Sequence, residues 1–185
     1  MKIVAGVHRH RKLLVPKGKK IRPTTAQLRE TLFNICQNVI EGATFLDLFA
    51  GIGAIGLEAL SRGAASATFV EKDKEALKLI RENIHLLGEE NRSFVLSLDV
   101  FKAIKRLHEK GEKFDLIFAD PPYHESTAER LLECMDLYPL LNKEGIFFLE
   151  ERNKDCDPEI SLNTLRFKGS RRVGNTLLRQ YTKIL

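Results

Sequence analysis

The sequence has no tryptophan, only three cysteines and two methionines, and no apolar run long enough to span a bilayer. The cysteines, Cys36, Cys134 and Cys156, are odd in number and scattered, which argues against a disulfide framework and for reduced thiols in a cytoplasm. The N-terminus also lacks the apolar core of a secretory signal peptide. We therefore expect a cytoplasmic protein without a membrane segment.

Acidic residues are absent from both ends of the chain. Residues 1–29 hold nine Lys and Arg, and residues 161–185 hold six, while all 25 acids lie in residues 30–160. A protein that docks on phosphate backbones needs such polarity, whereas an enzyme for a small acidic metabolite does not. A solvated basic tail is the alternative, but the apolar residues at 3–5 and 13–15 favour an ordered hairpin.

The 185 residues suit one domain, which would bury about 70% of its unfolded surface. We predict a basic β-hairpin and helix over residues 1–40 and a catalytic core over residues 41–185. The helix is expected over 25–39, with Thr24 and Gln27 as a capping box. The basic residues of the hairpin and the following loop are candidates for contacts with nucleic-acid phosphates: Arg9, Arg11, Lys12, Lys17, Lys19, Lys20 and Arg22.

Strand and helix patterns alternate after residue 40, which predicts an α/β fold: a Rossmann-like, doubly wound, mostly parallel sheet of seven strands with an antiparallel C-terminal strand. The predicted strands are 44–49, 67–71, 93–97, 114–119, 145–150, 162–167 and 176–183. The predicted helices are 54–61, 73–87, 100–109 and 125–137.

The apolar run that starts at Thr44 breaks into glycines at Gly51, Gly53 and Gly56. This spacing matches the dinucleotide fingerprint, with Glu71 as the acidic residue for ribose hydroxyls. Any adenosine ligand on an α/β sheet would use the same features. Asp47 favours S-adenosylmethionine over NAD, because a carboxylate there repels a pyrophosphate and attracts the ammonium of a methionine moiety, directly or through water. A tight turn with Asp47 capping backbone remains the structural alternative.

A second motif, Asp120-Pro121-Pro122-Tyr123, ends another apolar run. Proline has no N–H, so this segment offers rigid carbonyl acceptors without competing donors. An exocyclic base amine is a double donor, and Asp120 with the Pro121 carbonyl can each accept one hydrogen. Tyr123 can stack on the base, which is worth about 1–3 kcal/mol. A proline turn with a core tyrosine is the alternative.

These motifs make the chain resemble the class I S-adenosylmethionine-dependent methyltransferases. Arg22-Pro23-Thr24-Thr25 and Arg29-Glu30-Thr31-Leu32-Phe33-Asn34 point more narrowly to the RsmD-type bacterial 16S ribosomal RNA (guanine-N2) methyltransferases. The resemblance implies S-adenosylmethionine as cofactor and a 16S rRNA substrate, in an assembling small ribosomal subunit, for a monomeric enzyme.

Carried onto this sequence, the resemblance implies catalysis by Asp120, Pro121, Pro122 and Tyr123. The candidate cofactor-binding residues are Asp47, Phe49, Gly51, Gly53, Glu71, Lys72, Asp99 and Val100.

Three other functions remain open. An adenine-N6 methyltransferase would also suit the proline motif, although a DNA enzyme of that kind usually has an added target-recognition domain. An NAD-dependent oxidoreductase explains the glycines but neither Asp47 nor Asp120. A noncatalytic RNA-binding module would not need Asp120. Metal binding is not expected, because His8 and His10 have no cysteine or carboxylate near them in the sequence.

Overall fold

A computed structural model describes residues 1–16, 25–122, 127–152 and 160–184. The strands are β1 Thr44–Leu48, β2 Ser66–Glu71, β3 Ser93–Ser97, β4 Phe114–Ala119, β5 Leu141–Arg152, β6 Leu165–Val173 and β7 Thr176–Lys183. The helices are α1 Ala26–Ile35, α2 Ala54–Ser61, α3 Lys74–Leu87, α4 Val100–Glu109 and α5 Thr127–Leu137. A short 3₁₀ helix, Glu90–Arg92, precedes β3.

All seven strands form one sheet in the order β3-β2-β1-β4-β5-β7-β6. Strands β1 to β5 are parallel, and β7 is antiparallel to both β5 and β6. The predicted doubly wound sheet is confirmed, and its strand order reverses between β1 and β4. Ligands of open α/β sheets bind at such a reversal, outside the carboxyl ends of the strands.

Helices cover both faces of the sheet because each presents one apolar stripe. One core joins α1, α2 and α3 to the sheet through residues such as Leu28, Leu57 and Ile80. The second core lies under α4 and α5, around Ile104 and Leu131. Among the described residues, no helix is both long enough and apolar enough to cross a membrane.

Three elements differ from the sequence prediction by three residues or more: α1, β6 and β5, which starts at Leu141 rather than at 145. Thr25, not Thr24, caps α1, since its hydroxyl accepts from the Leu28 N–H, and the helix ends at Ile35. The segment beyond Ile35 turns away, which leaves Val39 49% exposed. Strand β6 starts later and runs further than the predicted 162–167, because its exposed edge is polar and lacks the apolar alternation that marks a strand.

The N-terminal residues form an antiparallel loop rather than two regular strands. A single bridge joins Lys2 to Lys12, and the Ile3 N–H donates to the Arg11 carbonyl at 3.0 Å. Ile3 and Leu13 are buried, so this segment packs on the body of the protein. We call residues 1–16 the N-terminal arm.

Candidate active site

Three carboxylates meet at the carboxyl ends of β1, β2 and β4. Leu48 of β1 lies between Val70 of β2 and Ala119 of β4 in the strand register. Asp47 comes one residue before Leu48, and Glu71 and Asp120 come one residue after their respective partners. The sheet therefore gathers residues that are up to 73 positions apart in the chain at one edge.

The turn after β1 adopts an uncommon backbone conformation. Phe49 has a φ of +61°, a left-handed value that is rare for a bulky residue. The next residue, Ala50, donates its N–H to the Val70 carbonyl at 3.0 Å, which ties the turn to β2. Gly53 caps α2 with a φ of +81°, where a side chain would be strained. Bonds within the protein and backbone angles thus fix the shape of this turn.

Gly56 has a packing role rather than a conformational one. A Cβ atom at this position would lie 2.3 Å from Cε1 of Phe69 and 2.8 Å from its Cζ. Only glycine lets the first turn of α2 approach β2 so closely. The third glycine of the motif therefore sets the distance between helix and sheet.

Asp47 is 1% exposed, and its Oδ2 accepts the Gly56 N–H at 2.9 Å. Burial raises the pKa of Asp47 to about 7; the Gly56 hydrogen bond opposes the rise, and the carboxylates of Glu71 and Asp120 add to it. The backbone-capping alternative is thus present in the structure. The hydrogen bond to Gly56 does not prevent Asp47 from attracting an ammonium group, because a bound cation would favour the ionised form of the carboxylate.

The Glu71 carboxylate is held against the glycine loop by backbone donors. Its Oε2 accepts the Gly51 N–H at 2.9 Å, and its Oε1 accepts the N–H groups of Lys72 at 2.8 Å and Asp73 at 2.9 Å. These bonds fix the orientation of the carboxylate at the end of β2. A ligand hydroxyl at this sheet edge would meet it beside the loop.

Asp99 follows β3, the strand that pairs with β2. Its Oδ1 accepts the Phe101 N–H at 3.1 Å and so caps α4, while its Oδ2 lies 3.2 Å from the Lys72 Nζ. Val100, the first residue of α4, is 4% exposed. The predicted cofactor-binding residues Glu71, Lys72 and Asp99 are thus neighbours around one corner of the cleft.

The proline motif extends β4 into the same cleft. Ala119 ends the strand and is fully buried, Asp120 is partly exposed, and Pro121 is buried while Pro122 is exposed. Tyr123, the fourth predicted catalytic residue, lies outside the described residues. The described part of the motif therefore sits beside Asp47 and Glu71, as the sequence predicts.

The charge of the cleft discriminates between the two candidate cofactors. Asp47, Glu71 and Asp120 lie close enough for the last two to influence the pKa of the first. A negative cluster of this kind disfavours a pyrophosphate and favours a ligand that carries a sulfonium and an ammonium. The residues present fit S-adenosylmethionine and do not fit NAD.

Three predicted RNA-binding residues lie in the described part of the N-terminal arm. Arg9 and Lys12 are exposed, and Arg11 is exposed with its Nη2 donating to the Leu86 carbonyl at 2.8 Å. The other four candidates, Lys17, Lys19, Lys20 and Arg22, lie outside the described residues.

Sequence reasoning missed the residues that anchor the arm. Glu58 is fully buried in α2, and its carboxylate accepts the N–H groups of Val4 at 2.8 Å and Ala5 at 2.9 Å. Ser61, one turn later, accepts the His8 N–H and donates to the Ala5 carbonyl. A charged residue within the apolar run of α2 was the available signal. The arm is therefore bonded to the body and is not a solvated tail.

A second anchor links the arm to the cofactor loop. Asn83 of α3 is fully buried, and its Nδ2 donates to the carbonyls of Leu14 and Ile52, each at 3.1 Å. Its Oδ1 accepts the Leu14 N–H at 2.7 Å. The signal in the sequence was a polar residue on the buried face of an amphipathic helix.

His8 has a carboxylate partner that the sequence did not predict. Its Nε2 lies 2.6 Å from Oε1 of Glu89, so a carboxylate partner exists although none is near in the sequence. Arg92 shares the same carboxylate oxygen at 2.6 Å. This group makes a further contact between the arm and the body. Within the described ranges, no set of three or more His, Cys, Asp or Glu is arranged to hold a metal ion.

Comparisons with known proteins agree with this site. The family model described as "Conserved hypothetical protein 95" matches residues 1–182. The ribosomal RNA small subunit methyltransferase D of Escherichia coli K12 is 37% identical over 163 residues, which are 88% of this chain and 80% of that protein. The protein of the same name from Haemophilus influenzae is 33% identical over 156 residues, covering 83% of this chain and 80% of that protein.

A solved structure extends the similarity to the whole fold. A hypothetical protein of Thermus thermophilus superposes with a TM-score of 0.83 at 30% identity, covering 100% of this chain and 99% of that one. Fold, cleft and sequence relationships converge: the chain belongs to the conserved hypothetical protein 95 family, the RsmD family of S-adenosylmethionine-dependent methyltransferases.

Proposed function

We propose that this enzyme methylates the exocyclic N2 amine of a guanine in 16S ribosomal RNA. The observation that carries the proposal is the place of Asp120 and Pro121 at the end of β4, beside the carboxylates of Asp47 and Glu71. The relatives named ribosomal RNA small subunit methyltransferase D support the choice of RNA.

The cofactor would be held at the carboxyl ends of β1 and β2. Glu71, oriented by three backbone N–H groups, binds the ribose hydroxyls. Asp47 attracts the ammonium group, and Gly51 and Gly53 let the backbone approach the ligand. Phe49, Lys72, Asp99 and Val100 would complete the adenosine side, with Asp99 toward the adenine amine. S-adenosylmethionine supplies the electrophilic methyl group on its sulfonium.

The residues of the proline motif orient the target amine. The N2 lone pair of guanine is delocalised into the ring, so the amine needs precise placement more than a strong base. Asp120 and the Pro121 carbonyl each accept one N–H, which turns the nitrogen toward the methyl group, and proximity then contributes much of the rate. The chemistry requires no covalent enzyme intermediate. The base leaves its stack to enter the cleft, where Tyr123 and Pro122 would cover its face.

The N-terminal arm and the basic residues that follow it in the sequence would dock the substrate. The phosphates of the RNA contact Arg9, Arg11, Lys12, Lys17, Lys19, Lys20 and Arg22, and these contacts position the RNA without reading its bases. We further propose that the enzyme acts as a monomer, in the cytoplasm, on an assembling small ribosomal subunit.

Methyl transfer to purified small subunits, with labelled S-adenosylmethionine, tests the proposal. The wild type should transfer label to 16S rRNA, and Asp120→Ala should lose far more turnover than cofactor affinity. Glu71→Ala should do the reverse and weaken cofactor binding in calorimetry. An Asp120→Ala variant that keeps most of its turnover would contradict the catalytic assignment.

A further inference from the structure

The C-terminal end of β6 lies on the same edge of the sheet as the active site. Strand β6 is the outermost strand, and it is antiparallel to β7, which is itself antiparallel to β5. Strand β6 therefore runs in the direction of β5 and β4. Its last residues, Arg171, Arg172 and Val173, reach the edge at which Asp120 follows β4.

The register fixes how far these residues lie from the catalytic motif. Arg171 is opposite Leu178 of β7, which is opposite Glu150 of β5. The residue before Glu150 is opposite Ala119, which immediately precedes Asp120. Arg171 is thus level with Asp120 and three strand spacings away, or about 14 Å at about 4.8 Å per strand.

Both arginines are exposed and available to an external anion. Within the described ranges, no carboxylate forms a salt bridge with Arg171 or Arg172. Arg179 of β7 shows the contrast, because it is 2% exposed and its Nε lies 2.6 Å from Oε2 of Glu151. Arg179 is structural, whereas the two arginines of β6 project from the surface.

The chemistry of this pair suits a phosphate backbone. A guanidinium presents a rigid fork of donors that binds phosphate oxygens in pairs. Neighbouring residues of a strand point to opposite faces, so the two side chains can reach successive phosphates that pass over the sheet edge. Residues 161–185 contain no acid that would repel such a strand.

Helix α1 contacts both the N-terminal arm and β6. Arg29 of α1 donates through Nη1 to the Lys2 carbonyl of the arm at 2.9 Å, and α1 also contacts β6. Val173, the last residue of β6, belongs to the same buried core as Leu28 of α1 and Ile3 of the arm. An RNA whose base enters the cleft would have flanking phosphates on both sides.

We propose that Arg171 and Arg172 contact the RNA backbone next to the methylated nucleotide, as a second phosphate-binding surface separate from the arm. This inference rests on the proposed function. Exposed cations also protect edge strands from pairing with other chains, and Arg166 and Lys168 of the same strand can serve that purpose. Arg166 is level with Leu116, four residues before Asp120, so about 13 Å of strand separates the two levels.

That geometry supplies a matched control. We would compare the wild type with Arg171→Gln/Arg172→Gln and with Arg166→Gln/Lys168→Gln, in salt titrations of binding to unmethylated small subunits. Neutralising two fewer phosphates should reduce the salt slope of the first variant by about 1.4 to 1.8, which is roughly a 25-fold or greater loss of affinity at 0.1 M salt if the titrations meet at 1 M. The control variant should keep the wild-type slope, and Arg171→Lys/Arg172→Lys should retain most of it.

Cofactor affinity and melting temperature should be unchanged in all variants, since the four side chains are exposed. A wild-type slope for Arg171→Gln/Arg172→Gln, with RNA methylation intact, would overturn this inference and leave the proposed function standing. Aggregation of that variant without a change in slope would likewise overturn it and assign the arginines to edge protection. Failure of the wild type to bind or methylate RNA would overturn the proposed function itself.

Discussion

Asn83 forms a reciprocal pair with the backbone of Leu14: its Oδ1 accepts the Leu14 N–H at 2.7 Å, and its Nδ2 donates to the Leu14 carbonyl at 3.1 Å. The same Nδ2 also donates to the Ile52 carbonyl in the glycine loop. One buried amide therefore connects the end of the N-terminal arm to the glycine loop. The arm and the loop share this structural support.

Asn83→Ala should destabilise the protein. The substitution leaves three backbone groups without their partner, the buried carbonyl of Ile52 and the part-buried N–H and carbonyl of Leu14. An unpaired buried polar group costs about 1–3 kcal/mol. We expect a loss of about 2–5 kcal/mol in chemical denaturation, with weaker cofactor and RNA binding in the folded fraction. Arg81→Ala, an exposed position on the same helix, is the control and should change stability by less than about 0.5 kcal/mol. Equal stability for the two variants would refute this role of Asn83.

Gly56→Ala should destabilise the fold through one contact with Phe69. The added Cβ would lie 2.3 Å from the Phe69 ring, and overpacking of this kind typically costs about 1–3 kcal/mol. Phe69→Leu should destabilise the wild type but relieve the clash in Gly56→Ala. A double-mutant cycle by denaturation measures this, and additive effects would show that the two residues do not limit each other.

Cofactor binding should depend on pH through the protonation of Asp47. Burial raises the pKa of this carboxyl to about 7, so below that pH the free protein holds a proton that an incoming cation must displace. Affinity for S-adenosylmethionine should rise with pH by up to about tenfold per unit below pH 7, and then level off. Asp47→Asn should bind more weakly, without this rise. Calorimetry from pH 5.5 to 7 tests it, and a parallel rise in Asp47→Asn would contradict the assignment.

The stability of the folded protein should also depend on pH through the Asp47 carboxyl. The pKa of Asp47 in the folded protein lies above its ordinary value of 3.8, so the folded protein binds more protons than the unfolded chain between about pH 4 and 7. The contribution of Asp47 to stability should therefore be largest below pH 4 and decline as the pH rises through 7. Asp47→Asn should gain stability relative to the wild type as the pH rises from 5 to 7, and the difference should level off above pH 7. A difference that stays constant from pH 5 to 7 would contradict the raised pKa of Asp47.

The basic loop after the arm should dominate RNA affinity. Alanine at Lys17, Lys19 and Lys20 should reduce the salt slope by about 0.7 to 0.9 for each phosphate that is no longer neutralised, and should leave cofactor affinity unchanged. Alanine at Lys102, Lys105 and Lys110 is the control, because it removes equal charge from exposed positions on α4 and at its end. Helix α4 covers the face of the sheet that the N-terminal arm does not contact. Filter binding across salt concentrations distinguishes the two. If both variants kept the wild-type slope, the loop would not be a docking surface.

The sequence predicts local features of this enzyme better than long-range ones. Strands β1, β2 and β4 were predictable because their apolar runs are buried on both faces. Helix α4 was predictable because Val100, Ala103, Ile104 and Leu107 recur at helical spacing. The cleft was predictable because carboxyl ends of parallel strands share one edge, so Asp47 and Asp120 had to meet there.

Contacts between distant segments were not predictable. Glu58 binds Val4 across 54 positions, and Asn83 binds Leu14 across 69, and neither pair leaves a periodic signal in the sequence. The arm also departs from a regular hairpin, because only some of its N–H groups bond across the arm, while others bond to side chains of α2 and α3. Only the tertiary structure shows why a basic segment of this composition is ordered.

The most direct test of the account is mass spectrometry of 16S rRNA nucleosides from cells that lack the protein, with complementation by the wild type or by Asp120→Ala. The account predicts that N2-methylguanosine decreases in the deletion strain, returns with the wild type, and does not return with Asp120→Ala at equal protein level. Unchanged N2-methylguanosine, or loss of N6-methyladenosine in its place, would contradict it.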